Sequence, residues 1–139
     1  MSYLLDTNSM SYFMEQRTSI RTKVREVGGL SVLSTSTITV AELYYGVMIL
    51  PEGHRKANLL TSLENVLGGG IEVRPFSGAA AKTYAEAGAA LRRAGVRYSF
   101  QDLAIASVAL AEDRTVASND RFFKHAQRVC GLMFERWEP

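Results

Sequence analysis

Apolar positions along the chain come in two spacings. Short runs dense in aliphatic and β-branched residues alternate with longer stretches in which apolar side chains recur every three or four positions. The first spacing suits buried strands and the second suits helices packed by one face. Ser2 to Leu5 is strand-like, and Asn8 to about Val27 follows as one helix ending at Gly28-Gly29. Leu30 to Thr35 reads as a second strand. Ile38 to Leu50 carries an apolar stripe of Val40, Leu43, Tyr44 and Val47 and is closed by Pro51. A further amphipathic helix runs from about Glu52 to Leu67, before Gly68-Gly69-Gly70.

Ile71 to Arg74 is a third strand, ended by Pro75. Ser77 is placed to cap an alanine-rich helix reaching about Ala94, with Gly95 as its stop signal. Gln101 to Glu112 is almost wholly small and apolar, so this helix should lie against the sheet. Thr115 to Ala117 is a brief strand, Asp120 to His125 a short helix, and Leu132 to Glu135 a last strand before Trp137. Strands alternating with helices imply βα units and a largely parallel sheet covered on both faces. The whole chain, 1–139, reads as one domain without internal repeat or linker.

In such sheets ligands collect outside the carboxyl ends of the strands, and acidic residues recur at those places. Asp6 follows the first strand, Asp120 follows the strand at Thr115 to Ala117, and Glu42 and Asp102 stand near helix starts. Taken singly, each is better read as a helix cap than as a ligand. Thr39-Val40-Ala41-Glu42 fits a capping box, and Ser99-Phe100-Gln101-Asp102 resembles one. Asp6 and Asp120 suit N-caps. Caps, however, are interchangeable among Ser, Thr, Asn and Asp, so acids at all these places exceed what capping requires. Two like charges ~4 Å apart at an effective dielectric of ~20 cost about 4 kcal/mol, which a shared cation removes.

Composition narrows the cation. Cys130 is the only cysteine, and His54 and His125 are the only histidines, so thiolate clusters and multi-imidazole sites are excluded. Oxygen ligands select a hard ion, Mg²⁺ or Mn²⁺. The net charge of +2 does not by itself mark a nucleic-acid binder. Arginine and lysine are nonetheless clustered: Arg17 to Arg25, Arg92 to Arg97, and Arg114 to Arg128. Arginine beside a carboxylate group suits a phosphodiester substrate, although solvated helix faces carry arginine too. Tyr98 and Phe100, just before Asp102, are candidates for contact with substrate. ATP-binding and dinucleotide fingerprints are absent, and the serines lack a nucleophile-elbow context. No apolar run approaches the ~20 residues of a membrane span, and no signal peptide opens the chain, so a cytoplasmic protein is expected.

Leu4-Leu5-Asp6-Thr7-Asn8, Glu42 in Ala41-Glu42-Leu43-Tyr44-Tyr45-Gly46, Asp102 in Gln101-Asp102-Leu103-Ala104-Ile105-Ala106, and Ser118-Asn119-Asp120-Arg121-Phe122-Phe123 together resemble the PIN domain. More narrowly, the chain resembles VapC-type toxin ribonucleases of type II toxin–antitoxin systems, the FitB-like branch included. The closing Gly131-Leu132 and Glu135-Arg136-Trp137 resemble that group's ending. The resemblance implies an α/β/α sandwich with a central, mainly parallel sheet of about five strands. It implies a Mg²⁺- or Mn²⁺-dependent endoribonuclease acting on single-stranded or loop RNA. It further implies a homodimer, and inhibition by a VapB-like antitoxin that binds operator DNA. Asp6, Glu42, Asp102 and Asp120 match the acidic quartet that holds the metal, and Asn8 and Ser118 match polar supporting positions. Ser118 stands where Thr is commoner and keeps the hydroxyl. The runner-up is a non-catalytic PIN-like module whose acids bind an arginine of a partner protein. A phosphatase of another α/β fold ranks behind both.

Overall fold

A computed structural model describes residues 1–138. Its elements are β1 (Tyr3–Leu5), α1 (Thr7–Met14), α2 (Thr18–Glu26), a 3-10 turn (Leu30–Val32), β2 (Leu33–Ser36), α3 (Thr37–Met48) and α4 (His54–Leu67). Then come β3 (Glu72–Arg74), α5 (Gly78–Arg93), α6 (Phe100–Ala111), β4 (Thr115–Ser118), α7 (Arg121–Cys130) and β5 (Phe134–Arg136). The strands form one five-stranded, fully parallel sheet in the order β3-β2-β1-β4-β5. The expected α/β architecture is therefore present.

Strand pleating sorts the core into two layers. Leu4 and its register partner Val116 point to the face covered by α5, α6 and α7, where Leu91, Leu103, Ile105 and Phe123 are buried. Tyr3, Leu5 and Ala117 point to the other face, against Met10 of α1, Ile20 of α2 and Trp137. The unbroken buried run Leu103–Ala109 makes α6 a helix sunk between sheet and α5. Gly88 of α5 allows that closeness, since a Cβ there would stand 3.1 Å from Leu103 Cδ2 and from the Tyr98 hydroxyl. Ser77 caps α5 by accepting from the Ala80 amide. At the far end Gly95 takes the left-handed conformation, with φ of 73°. The amides of Gly95 and Val96 then bond the carbonyls of Arg92 and Leu91, a Schellman closure.

One expected helix is two. The chain between Asn8 and Val27 breaks at Gln16, whose φ is 57°. The amides of Gln16 and Arg17 return to the carbonyls of Phe13 and Tyr12, the same Schellman closure built on glutamine. Arg17 seals it by laying its guanidinium 3.9 Å over the Tyr12 ring. The break lets α1 and α2 bury Met10 and Ile20 independently. The second strand also starts later than Leu30, because a 3-10 turn occupies Leu30–Val32. The helix opened by Asp120 runs on to Cys130 rather than stopping at His125, which buries Ala126.

Candidate active site

The order β3-β2-β1-β4-β5 puts the topological switch point between β1 and β4, where successive connections leave in opposite directions. Crevices at such points, beyond the carboxyl ends of the strands, are the natural ligand sites of open α/β sheets. Asp6 immediately follows β1, and Asp120 follows β4 by one intervening residue, so the two acids flank that crevice. The strand ends beneath them are pinned: the Thr35 hydroxyl donates to the Leu5 carbonyl at 2.9 Å and the Ser9 hydroxyl to the Ala117 carbonyl at 2.8 Å.

Asp6 is 4 % exposed and serves two functions. Its Oδ1 accepts the Ser9 amide at 2.9 Å, capping α1, and its Oδ2 accepts the Ser118 hydroxyl at 2.6 Å. Ser118 in turn accepts the Asp120 amide at 2.9 Å, and Asp120 caps α7 through the Phe122 amide at 2.8 Å. Burial pushes the Asp6 carboxyl above its ordinary pKa, the Ser118 and Ser9 hydrogen bonds pull it back, and Asp120 adds repulsion. The capping readings of Asp6 and Asp120 are thus correct and do not exclude a site.

For Glu42 the capping reading fails. β2 runs straight into α3, so Ser36 is the N-cap and accepts the Thr39 amide at 3.1 Å. Thr39 therefore lies inside the helix and Glu42 in its second turn, beyond the free amides. Glu42 Oε1 instead accepts the Thr7 hydroxyl at 2.6 Å, and Thr7 also reaches the Thr39 hydroxyl at 3.4 Å. Asp102 sits in the first turn of α6, where its amide donates to Ser99 at 3.1 Å. Desolvation, then repulsion from Asp120, from Asp6 and from Glu42, pushes its carboxyl from an ordinary 3.8 to about 6. Residues 6, 42, 102 and 120 therefore share one electrostatic neighbourhood.

Among the described residues none of these acids is in an ion pair. Nor do three Asp, Glu, His or Cys side chains stand close enough to form a ready-made metal cage there. Mg²⁺ does not require one, since it keeps several waters and uses one or two carboxylates directly. The donor set, all carboxylate and hydroxyl oxygen with mutual repulsion and no ion pair to a cationic side chain among the described residues, fits a hydrated hard dication. Ser118 is bonded to the acids. Asn8 is exposed and makes no side-chain hydrogen bond among the described residues. Thr7 and the Ser9 hydroxyl organise the site and were not marked by the sequence, because the groups they bond, Glu42 and the Ala117 carbonyl, are distant in the chain.

Two clefts adjoin the acids. One, of about 380 Å³, runs between α1, α3 and α4 from Thr7 and Glu42 past Leu43, Gly46 and Leu59 to Arg55. The other lies between α3 and the start of α6, lined by Ile38, Ala41, Glu42, Tyr45, Phe100 and Gln101. The basic clusters also separate. Arg17, Lys23 and Arg114 are engaged by Glu138, Glu135 and Glu112. Arg92 and Arg97, beside Tyr98, have no ion-pair partner among the described residues.

Residues 3–129 match the family described as the PIN domain. The chain belongs to the PIN-domain family. Among proteins similar to this PIN domain is Plasmid stability protein StbB of Pseudomonas syringae pv. tomato. It is 38% identical over 122 residues, covering 84% of this chain and 86% of the relative. Ribonuclease VapC2 of Rickettsia felis is 30% identical over 139 residues, covering 99% of each. In the solved structure of VapBC2 from Rickettsia felis bound to a promoter DNA fragment, the matching chain is 28% identical. It superposes with a TM-score of 0.84, covering 99% of this chain and all of the other. The FitAcB structure from Neisseria gonorrhoeae matches with a TM-score of 0.77 at 28% identity, covering 95% of each chain. No helix of this PIN domain, among the described residues, is long and apolar enough to cross a membrane.

Proposed function

We propose that this PIN domain is a Mg²⁺- or Mn²⁺-dependent endoribonuclease acting as the toxin of a type II toxin–antitoxin pair. The observation that carries the reading is the group of carboxylates about the β1/β4 switch point, none of them in an ion pair among the described residues. The names of the relatives supply the substrate class and the context: one is a ribonuclease, and a matching solved structure, VapBC-5 from Mycobacterium tuberculosis at 27% identity, is a member of the VapBC family of toxin-antitoxin systems.

In this reading Asp6 and Asp102 would be the direct holders of the dication, and Glu42 and Asp120 would help to hold it or its waters. Such an ion lowers the pKa of water and neutralises charge on a phosphodiester. The rest is work for the chain. Ser118 and the Ser9 amide hold Asp6 in one rotamer. Thr7 holds Glu42 Oε1, leaving the other oxygen to orient the attacking water and take its proton. Neither histidine is among the residues that organise this crevice, so proton transfer falls to carboxylates and water. In this reading a VapB-like antitoxin would cover the cleft between α1, α3 and α4, whose lining runs from apolar residues to Glu42. We further propose that the working unit is a cytoplasmic homodimer.

The test is incubation of the purified chain with defined single-stranded RNAs in Mg²⁺, in Mn²⁺ and in EDTA. Cleavage in either metal, its loss in EDTA, and its loss in Asp102→Asn are expected. Undiminished metal-dependent cleavage by Asp102→Asn refutes the assignment. A folded, RNA-inert protein whose acids still bind an antitoxin arginine would make it the non-catalytic module instead.

A further inference from the structure

The end of α5 and the loop to α6 lead into the acid site and carry cations followed by aromatics. Arg92 of α5 with Arg97 and Tyr98 of the loop line a shallow depression. Phe100 opens α6 two residues before Asp102. Phe100 is 53% exposed and Tyr98 is 38% exposed, although both belong to an aromatic cluster. Tyr84 lies 5.6 Å and Phe76 6.2 Å from the Phe100 ring, centroid to centroid, and Tyr84 lies 6.5 Å from Tyr98. These neighbours are the half-buried floor. They fix the rings from behind and leave Phe100 on the same cleft wall as Tyr45, Glu42 and Gln101.

We infer that this surface is a strand track that seats unpaired RNA bases next to the scissile bond, with Phe100 and Tyr98 as stacking platforms and Arg92 and Arg97 as phosphate contacts. The inference rests on the ribonuclease reading and specifies how its substrate is held. A pre-set aromatic face binds any base by stacking, and cations beside it follow the backbone. Continuity argues for this occupant: a strand whose phosphate lies at the acid site must place a neighbouring nucleotide close by, and Phe100 shares a cleft with Glu42 of that site. Charge argues the same way, because the track's arginines are not neutralised by neighbouring carboxylates, unlike Arg17 and Arg114. The recognised chemistry is an unpaired base on an anionic backbone, so duplex RNA is excluded.

The variants are Phe100→Ala, Phe100→Leu, Phe100→Trp and Arg97→Ala, each checked for an unchanged melting temperature. The first readout is binding of fluorescein-labelled single-stranded RNA by anisotropy in EDTA, across a salt series. The second is cleavage in Mg²⁺, resolved into KM and kcat. Phe100→Ala and Phe100→Leu are expected to weaken binding about tenfold and to raise KM with little change in kcat, and Phe100→Trp to restore both. An RNA abasic at the contacted nucleotide should not distinguish Phe100→Ala from the parent. Arg97→Ala should flatten the salt slope by about 0.7. Wild-type affinity in Phe100→Leu overturns the track while leaving the nuclease intact. A parent protein that neither binds nor cuts RNA overturns both. Sedimentation velocity adds one more decision: if Phe100→Leu shifts the protein to a smaller species and affinity falls only in step, the face belongs to a second copy of the chain.

Discussion

Replacing Asp102 with asparagine removes a charge that the fold holds at a disadvantage. The rise from an ordinary 3.8 to about 6 corresponds to roughly 3 kcal/mol against the ionised form. Asp102 is only half-buried, so solvent screening reduces that to about 1.5 kcal/mol. The carboxylate also lies in the first turn of α6, where the helix dipole favours it by roughly 0.5 kcal/mol. Asp102→Asn should therefore stabilise the metal-free protein by about 1 kcal/mol at pH 8, or roughly 3 °C in melting temperature. The sign with pH follows from proton uptake. An acid with a folded pKa above its unfolded one makes the native state bind more protons, so parent stability falls as pH rises from about 4 to about 7. The gap between variant and parent should shrink to a small fraction at pH 4, where folded Asp102 is neutral and unfolded Asp102, at its ordinary 3.8, is only about half ionised. Thermal melts in EDTA from pH 4 to pH 8 measure it. Added Mg²⁺ should raise the melting temperature of the parent more than that of the variant. An equal gap at pH 4 and pH 8, or a variant less stable at pH 8, refutes the reasoning that Asp102 is destabilised by burial and its acidic neighbours.

Other substitutions probe the supports. Thr7→Val deletes the 2.6 Å hydrogen bond to Glu42 and should lower kcat about tenfold while shifting stability by less than ~1 kcal/mol; steady-state kinetics against defined RNA decides it. Ser118→Ala strips a donor from the buried Asp6, costs ~1–3 kcal/mol in urea unfolding, and moves the acid limb of the pH–rate profile upward. Gly88→Val drives branched carbon into Leu103 and Tyr98 and should cost ~2–3 kcal/mol, read by the same unfolding assay. Glu112, gripped by Arg74 at 2.7 Å and Arg114 at 3.0 Å, has its carboxyl held below the usual range, first by the Arg74 hydrogen bond. Its contribution is fully present above about pH 4.5 and is lost as pH falls through the lowered folded value, so Glu112→Gln should destabilise at pH 7 and converge on the parent in acid.

Much of the fold was legible because its signals are short-range. Period-two and period-3.6 patterning, the Ser77 cap and the Gly95 stop each depend on a few neighbouring residues, and each reappears in the structure. The acids at 6, 102 and 120 were likewise marked by their place beside strand ends and helix starts. Local signals failed where a distant partner took over. Gln16 ends α1 although glutamine is no stop residue, because Arg17 packs on Tyr12 and the two helices need separate seats in the core. Glu42 looked like a cap until β2 ran on to Ser36 and transferred that task.

By itself, then, the sequence determined an α/β chain with oxygen-rich chemistry at the strand ends, since spacing and residue type are properties of nearby positions. Only the tertiary structure decided which hydroxyl serves which acid. Thr7 meets Glu42 across 35 positions and Ser118 meets Asp6 across 112. Both meetings exist because the sheet order sets β4 and β2 on either side of β1. Chain distance carries no information about that adjacency. The burial of two apolar sheet faces selects it, and the polar partners follow where the strand ends put them.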